Sequence, residues 1–183
     1  MDSANPFWDF SLVVYHRPGV AAACLALQDR HGLDVNLLLF CCWAGSQGRC
    51  LDAADIERVM GSVGDWQRSV VGPLRGVRRR LKDLPGSTSG HLGALRQAVK
   101  DCELEAERIE QTMLHDAFAR PSGASSPAAD QAACAACAAA NMTVYLDLAG
   151  PSVDFADRTN LETILRGAFD TLSPEVTMQL LRQ

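Results

Sequence analysis

The sequence predicts an all-α protein, folded as a single-domain helical bundle of about six or seven helices over residues 1–183. Three observations predict this class. A chain of 183 residues has the size of one domain and can bury a core of its own. Hydrophobic residues make up 48% of the chain but aromatic residues only 6%, and Ala and Leu are abundant, which favours helices over a β-sandwich. Apolar residues also recur with the period of a helix along much of the chain.

The first three helices are predicted from their ends and their apolar runs. Asn5-Pro6 is typical of a helix start, and a short apolar helix follows over Phe7–Tyr15. A second helix is expected over about residues 18–31, because Gly32 suits a helix C-terminus. The third is expected over Asp34–Ala44, whose first residue can act as the cap. Since this run has no polar face, the helix should lie at the centre of the bundle.

The middle of the chain predicts two long helices. Asp52 can begin the fourth, with Asp55 at the third helical position, and an apolar stripe at helical spacing then runs over Ile56–Leu81. Gly72-Pro73 interrupts the stripe. Because Pro lacks an amide donor, we expect a kinked helix or two nearly collinear helices there. The fifth helix should run over about Leu92–Ala119.

The C-terminal third predicts a flexible loop and three further helical segments. The composition of residues 120–130, rich in Pro, Ser, Ala and Gly, predicts a flexible, protease-sensitive loop. An Ala-rich helix should begin at Ser126-Pro127 and end at Gly150, and its small side chains would let neighbouring backbones approach closely. Thr159 and Glu162 resemble a capping box, and Ser173-Pro174 can begin a last short helix.

The cysteine and histidine pattern predicts reduced thiols and no metal site. Seven cysteines occur without a signal peptide, which is typical of a cytoplasmic protein rather than of a disulfide framework. Cys134 and Cys137 have Cys-x-x-Cys spacing, but they lie inside the Ala-rich helix, so we interpret them as packing residues. Cys41 and Cys42 should fill the core. The remaining cysteines and the four histidines are scattered, so no metal and no cofactor are predicted.

Catalytic and membrane-spanning motifs are not found in the sequence. There is no Gly-x-Ser-x-Gly elbow and no Gly-rich phosphate loop after a predicted strand. The most apolar run, over Val35–Ala44, is about half the length needed to cross a bilayer, so no membrane contact is predicted. These features favour a non-catalytic protein.

A basic stretch over Arg75–Lys82 is the sharpest charge feature of a chain whose net charge is −5. It gives the candidate partner-binding residues, namely Arg68, Arg75, Arg78, Arg79 and Lys82. They should lie opposite the apolar stripe and face outwards. No aromatic residues interleave for base stacking, which argues against nucleic acid. Acidic residues over Asp101–Glu110 could pair with these cations, and the other interpretation is an acidic protein partner, so the favoured function is a cytoplasmic interaction or adaptor protein.

A second hypothesis is a small-molecule binder or enzyme with an apolar pocket between helices. Its polar lining would be drawn from residues beside strongly apolar runs, namely Asp9, Tyr15, Asp29, Asp34 and Asn36. A carboxylate in such a place must be a cap, be paired or serve a site, and Asp34 is explained as a cap alone. Asp9 and Asn36 are both expected to have buried polar partners.

Several segments resemble a bacterial family of small uncharacterised proteins, a domain of unknown function found in proteobacteria. The resemblance is carried by FWDFSL at Phe7–Leu12, PGV at Pro18–Val20, CLALQD at Cys24–Asp29 and DVNLLLFC at Asp34–Cys41, with a further pattern over Trp66–Lys82. It covers about residues 5–120. The resemblance implies membership of that family and carries no established activity with it.

Overall fold

The structure, a computed structural model, describes residues 5–118, 130–170 and 172–181. Within these ranges every regular element is a helix, so the predicted all-α class is confirmed. The helices are α1 (Pro6–Tyr15), α2 (Val20–His31), α3 (Val35–Ser46), α4 (Ala53–Trp66), a π-helical turn (Gln67–Val71), α5 (Gly72–Lys82), α6 (Gly90–Phe118), α7 (Gln131–Ala149), α8 (Phe155–Ala168) and α9 (Pro174–Leu180). Apart from Asp130, the flexible loop predicted at 120–130 lies outside the described residues.

The early helices begin and end where their caps predict. The Asn5 side chain accepts a hydrogen bond from the Phe7 amide at 3.1 Å, which caps α1. Gly32 ends α2 in the left-handed region, with φ of 68°. Asp34 caps α3 by accepting from the Asn36 amide at 2.8 Å. Local sequence chemistry therefore sets these boundaries to within about two residues of the prediction.

α3 lies at the centre of the bundle, as its all-apolar sequence predicts. Residues 36–45 are all buried, and α1, α2, α6, α7 and α8 all contact the helix. Phe40 and Trp43 pack against Phe7 and Phe118, with ring centroids 4.6–5.9 Å apart. Each large apolar side chain buried in this way stabilises the fold by roughly 1.5–3 kcal/mol. The surrounding helices are therefore arranged by the need to cover α3 on every side.

The Ala-rich α7 packs closely on α3. A Cβ added at Gly45 would lie 2.5 Å from the Ala138 backbone nitrogen and Cβ, a distance at which the atoms would overlap. Ala135, Ala138 and Ala139 of α7 are all buried. Small residues on both helices permit this close approach. The sequence predicts the same role for the alanines of α7.

We expect Gly45→Ala to destabilise the protein, because its new methyl group would force α3 and α7 apart and overpacking costs roughly 1–3 kcal/mol. Gly61→Ala is the matched control, since its added methyl group meets nothing within 4 Å in the middle of α4. The control should gain about 0.5–1 kcal/mol from helix propensity. Urea unfolding followed by circular dichroism measures both. Equal shifts for the two variants would contradict the close approach.

The π-helical turn changes which residues of α5 face inwards. The chain stays helical through Gly72-Pro73, but the Gly72 amide bonds to the Gln67 carbonyl, five residues back. A π turn adds one residue, so every later side chain is rotated by about 100° relative to a continuous α-helix. Val77 is consequently 49% exposed, while Arg75 and Arg78 face α6. The predictions that Val77 lies on the inward stripe and that both arginines face outwards are wrong, whereas Leu74 and Leu81 of the same stripe are half-buried.

The last two helices begin differently from each other. Asp154 and Asp157 form a reciprocal capping box that starts α8, with hydrogen bonds of 3.0 Å in both directions. The predicted box at Thr159 and Glu162 is wrong, because α8 begins one turn earlier. Ser173 caps α9 as predicted, accepting from the Val176 amide at 3.4 Å.

Cys50 and Cys137 form a disulfide, with their Cα atoms 4.6 Å apart. It joins the segment before α4 to α7. The expectation of seven reduced thiols is therefore wrong for this pair, as is the packing role of Cys137. The sequence could not reveal the pairing, because the two residues are 87 positions apart and only the fold brings them together. Cys41 and Cys42 fill the core as predicted, and Cys134 is buried as well.

The protein isolated without reductant is expected to show five reactive thiols after denaturation and all seven after reduction. Cys50→Ser combined with Cys137→Ser should lower the free energy of unfolding by roughly 2–4 kcal/mol, because a long loop is no longer closed in the unfolded chain. Alkylation with mass spectrometry and urea unfolding measure the two effects. Cys102→Ser, an exposed free thiol, is the control and should change neither stability nor the cross-link. Seven thiols before reduction would overturn the pairing.

α7 is long enough and apolar enough by composition to cross a bilayer, and so are α1 and α2 if their pair, bent by 98°, is taken as one span. The core helix of a bundle passes the same test, and 44% of the relevant part of α7 is buried within this one. The prediction that the protein has no membrane contact stays a prediction.

Candidate functional site

A cleft of about 370 Å³ lies between α1, α2, α3, α5 and α6. Its walls are mostly apolar, which suits a small organic molecule rather than an ion. The apolar lining residues are Trp8, Leu12, Tyr15, Leu25, Val35, Leu39 and Leu104. Leu12, Leu25 and Leu104 are exposed at its rim. The polar lining comes from Ser11, Gln28, Asn36, Arg75, Arg78, Lys100, Glu103, Glu107 and Gln111.

A cluster of two arginines and two glutamates forms the α5–α6 side of the cleft. Arg75 donates from Nε to Glu103 at 3.1 Å and from Nη2 to Glu107 at 2.7 Å. Arg78 donates to both oxygens of the same Glu103, from Nη2 at 3.2 Å and also from Nε. The side chains of Arg75 and Glu103 are only 14% and 7% exposed. Burial raises the pKa of Glu107, and the neighbouring Arg75 partly offsets that rise.

The floor of the cleft carries buried polar groups, and some of them have no hydrogen-bond partner among the described residues. Gln111 donates to Asn36 Oδ1 at 2.8 Å, but Gln111 Oε1 has no hydrogen-bond partner among the described residues. Ser11 Oγ is buried and likewise unpartnered there. Gln28 is mostly buried, and no side-chain hydrogen bond of its amide is found in the same ranges. An unsatisfied buried polar group costs roughly 1–3 kcal/mol, so a ligand supplying partners would gain by binding at this floor.

Two carboxylic acids, Asp34 and Glu110, meet in the core behind the floor. Asn36 donates from Nδ2 to Glu110 Oε2 at 2.8 Å. Glu110 also contacts Asp34, and Glu110 Oε1 and Asp34 Oδ2 are the acid oxygens without another partner in the described chain. Burial, and then the charge of Asp34, raise the pKa of Glu110 to about 9. Glu110 is therefore neutral at pH 7. A hydrogen bond through its carboxyl proton can satisfy both Glu110 Oε1 and Asp34 Oδ2.

A polar path thus runs from the cleft through the core to α7. It passes from Gln111 to Asn36, then to Glu110 and Asp34, whose backbone amide donates to the Tyr145 hydroxyl at 2.9 Å. Burial raises the pKa of Tyr145, so its hydroxyl stays protonated. Asn36 uses both ends of its amide in this path, so the acid pair fixes the orientation of the amides that face the cleft.

The lining offers hydrogen bonds and ion pairs rather than a nucleophile. The described residues that line the cleft include no histidine and no cysteine. The nearby core thiols are protonated, because burial raises the pKa of Cys24 to about 12 and also raises the pKa values of Cys41 and Cys42 well above their ordinary value. In the described ranges, no group of three or more His, Cys, Asp or Glu residues is placed to hold a metal ion. The arrangement is suited to binding an organic molecule.

Some of the predicted pocket residues lie at the cleft and others do not. Tyr15 and Asn36 line the cleft, and Asp34 lies behind it on the polar path. Asp9 is exposed, so the expected buried partner exists for Asn36 and not for Asp9. Asp29 is also exposed and pairs with Arg79 across α2 and α5.

The predicted partner-binding residues fall into two groups. Arg75 and Arg78 are held by Glu103 and Glu107 in the cleft wall, which is the intramolecular pairing that the sequence left open. The other three are exposed at the surface. Among these, Arg68 pairs with Asp65 and Arg79 with Asp29, and Lys82 lies near the end of α5.

Sequence reasoning missed most of the floor. Ser11, Gln28 and Gln111 were not singled out, and Glu110 was treated only as a counter-charge. A signal was present on α6, because Glu103, Ala106, Glu110 and Leu114 follow helical spacing on one face and all four are buried. Acidic residues in phase with apolar residues can therefore indicate a buried polar face.

The fold and the cleft define an all-α bundle with a partly apolar cleft, backed by a buried acid pair. A family model described as "Protein of unknown function (DUF2390)" matches residues 6–114. The chain belongs to this family, and the resemblance to a domain of unknown function is confirmed. The matched segment includes every lining residue of the cleft, from Trp8 to Gln111. No curated protein and no solved structure matches the chain significantly.

Glu110→Gln should make stability less dependent on pH. The raised pKa means that the folded state binds a proton that the unfolded state releases above about pH 4.5. The wild type therefore loses stability as pH rises towards 9, by up to about 1.4 kcal/mol per pH unit. Gln has no such proton, yet it can donate to Asp34 and accept from Asn36.

Urea unfolding at pH 5, 6.5 and 8 measures this effect. The free energy of unfolding of Glu110→Gln, relative to that of the wild type, should increase steadily from pH 5 to pH 8. Glu105→Gln, at an exposed position of the same helix, is the control and should follow the wild type at each pH. If the Glu110→Gln and wild-type curves run parallel, Glu110 is not protonated in the folded protein.

Proposed function

We propose that the protein binds a small organic molecule in the cleft between α1, α2, α3, α5 and α6. The observation that carries the proposal is the combination of apolar walls with two buried atoms, Ser11 Oγ and Gln111 Oε1, that have no hydrogen-bond partner in the described part of the chain. Apolar walls gain free energy by losing contact with water, and unpartnered polar atoms gain it by finding hydrogen bonds. A ligand with an apolar body and a hydrogen-bond donor supplies both.

The rigidity of the cleft supports binding. Its floor is tied through Asn36 to the buried acid pair, and its α5–α6 wall is fixed by the ion pairs of Arg75 and Arg78. Side chains held in this way lose little freedom when a ligand enters, which favours affinity. Because the lining lies wholly within the family segment, we propose that ligand binding is the function of this domain.

The adaptor function expected from the sequence is the weaker proposal. It requires a continuous outward face of cations, but Arg75 and Arg78 face the cleft wall. The exposed cations that remain on the predicted stripe are Arg68, Arg79 and Lys82, and the first two are paired with acidic neighbours. An acidic protein partner and a cytoplasmic location stay predictions.

Binding in the cleft is tested with N-phenyl-1-naphthylamine, a neutral apolar probe that has one N–H donor and fluoresces in apolar surroundings. We expect saturable binding at one site. Leu104→Trp should weaken it by about tenfold, because the larger side chain fills the cleft rim. Leu95→Trp is the matched control, since Leu95 is an equally exposed leucine of α6 outside the lining, and it should bind as the wild type does.

Fluorescence titration at constant protein concentration measures all three proteins, and circular dichroism checks that they are folded. An unsaturable signal, or equal affinities for the two tryptophan variants, would show that the probe does not occupy the cleft.

A further inference from the structure

The charged residues of the cleft do not balance. Three lining residues are cationic, Arg75, Arg78 and Lys100, whereas two are carboxylates, Glu103 and Glu107. One positive charge is therefore in excess. Lys100 is exposed at the cleft mouth, and the described chain gives it no ion-pair partner. An excess charge beside apolar walls favours a ligand that carries one negative charge.

The two arginines retain hydrogen-bonding capacity. A guanidinium has five N–H donors, and each arginine donates through Nε and Nη2 to glutamates. Neither Nη1 group has a partner within the described ranges. Because both side chains are already held in place by Glu103, a third acceptor gains charge-assisted hydrogen bonds without ordering a flexible side chain.

The position of the excess charge orients the ligand. Glu103 and Glu107 precede Gln111 on α6 by eight and four residues, so the charged wall lies ~6–12 Å along the helix from the floor. Asp34 contributes negative charge behind the floor, which disfavours an anion at that end. The anionic group therefore belongs beside α5, and the apolar body lies between Leu12, Leu25 and Leu104.

We propose that the ligand of this cleft is a monocarboxylate with an apolar body and a hydrogen-bond donor at its far end, whose carboxylate is bound by Arg75, Arg78 and Lys100. The inference rests on the proposed small-molecule binding and adds the chemical class of the ligand. A planar carboxylate matches the fork of guanidinium donors, and its single charge equals the excess. A phosphate monoester would bring nearly two negative charges into a cleft that has one excess positive charge. An alkylammonium would add a further positive charge to that excess.

Isothermal titration with four probes of equal chain length tests the class: octanoate, 1-octanol, octylammonium and octyl phosphate. We expect octanoate to bind about tenfold more tightly than each of the others, because only its head group matches the charge and the donors. Lys100→Gln should weaken octanoate by roughly two- to fivefold, the effect of one exposed ion pair, and should leave 1-octanol unchanged. Lys82→Gln, an exposed lysine outside the lining, is the control and should alter neither.

The outcomes distinguish this inference from the proposed function. If 1-octanol binds as tightly as octanoate, the cleft binds apolar molecules and the carboxylate class is overturned. Tighter binding of octyl phosphate or octylammonium overturns the class in favour of a dianion or a cation. If neither these probes nor N-phenyl-1-naphthylamine binds, the cleft proposal itself fails and the inference fails with it. An octanoate affinity that falls equally in Lys82→Gln and Lys100→Gln also overturns it, because the effect is then only that of overall charge.

Discussion

The structure depends on covering α3, a helix that is apolar on every side. A helix without a polar face must be surrounded, and α1, α2, α6, α7 and α8 all contact it. The buried polar residues of α3 lie at its start, where Asn36 and the cap residue Asp34 are buried together with the apolar residues. Their polar groups must find partners inside the bundle, and Glu110, Gln111 and Tyr145 supply them. The polar path is therefore a consequence of burying the N-terminus of the central helix, and the cleft opens where that path reaches the surface.

The parts of the fold that local chemistry determines could be predicted from the sequence. Asn5, Gly32, Asp34 and Ser173 end or begin helices as their cap preferences indicate, and the run after Asp34 identified the central helix. The errors concern non-local effects. The π-helical turn rotates α5 by one residue, so correct helical spacing still gave the wrong inward face. The Cys50–Cys137 disulfide depends on how α7 packs, which no local pattern reveals.

The candidate site shows the same division. Tyr15 and Asn36 were predicted to line a pocket because polar groups beside apolar runs need a partner, and both do line the cleft. The same argument gave the wrong result for Asp9, which is exposed, because the sequence pattern does not distinguish an exposed position on an apolar helix from a buried one. The arginines were recognised as a charge feature, but the direction in which they point depends on the phase of α5. Ser11 and Gln28 look like ordinary helix residues until the other helices of the cleft enclose them.

The proposed ligand binding explains the charged wall better than stability does. Burying Arg75 and Glu103 removes both from water, and such a buried pair is often no more stabilising than well-packed apolar residues of the same size. Two arginines that share one glutamate also repel each other, and this is tolerable only where carboxylates or a bound anion lie close to both. The protein supplies two carboxylates, yet Lys100 adds a third cation at the mouth of the same cleft. A wall built only to hold α5 on α6 needs neither that third cation nor Nη1 donors without a partner among the described residues, whereas a wall that completes its hydrogen bonds with a ligand uses both.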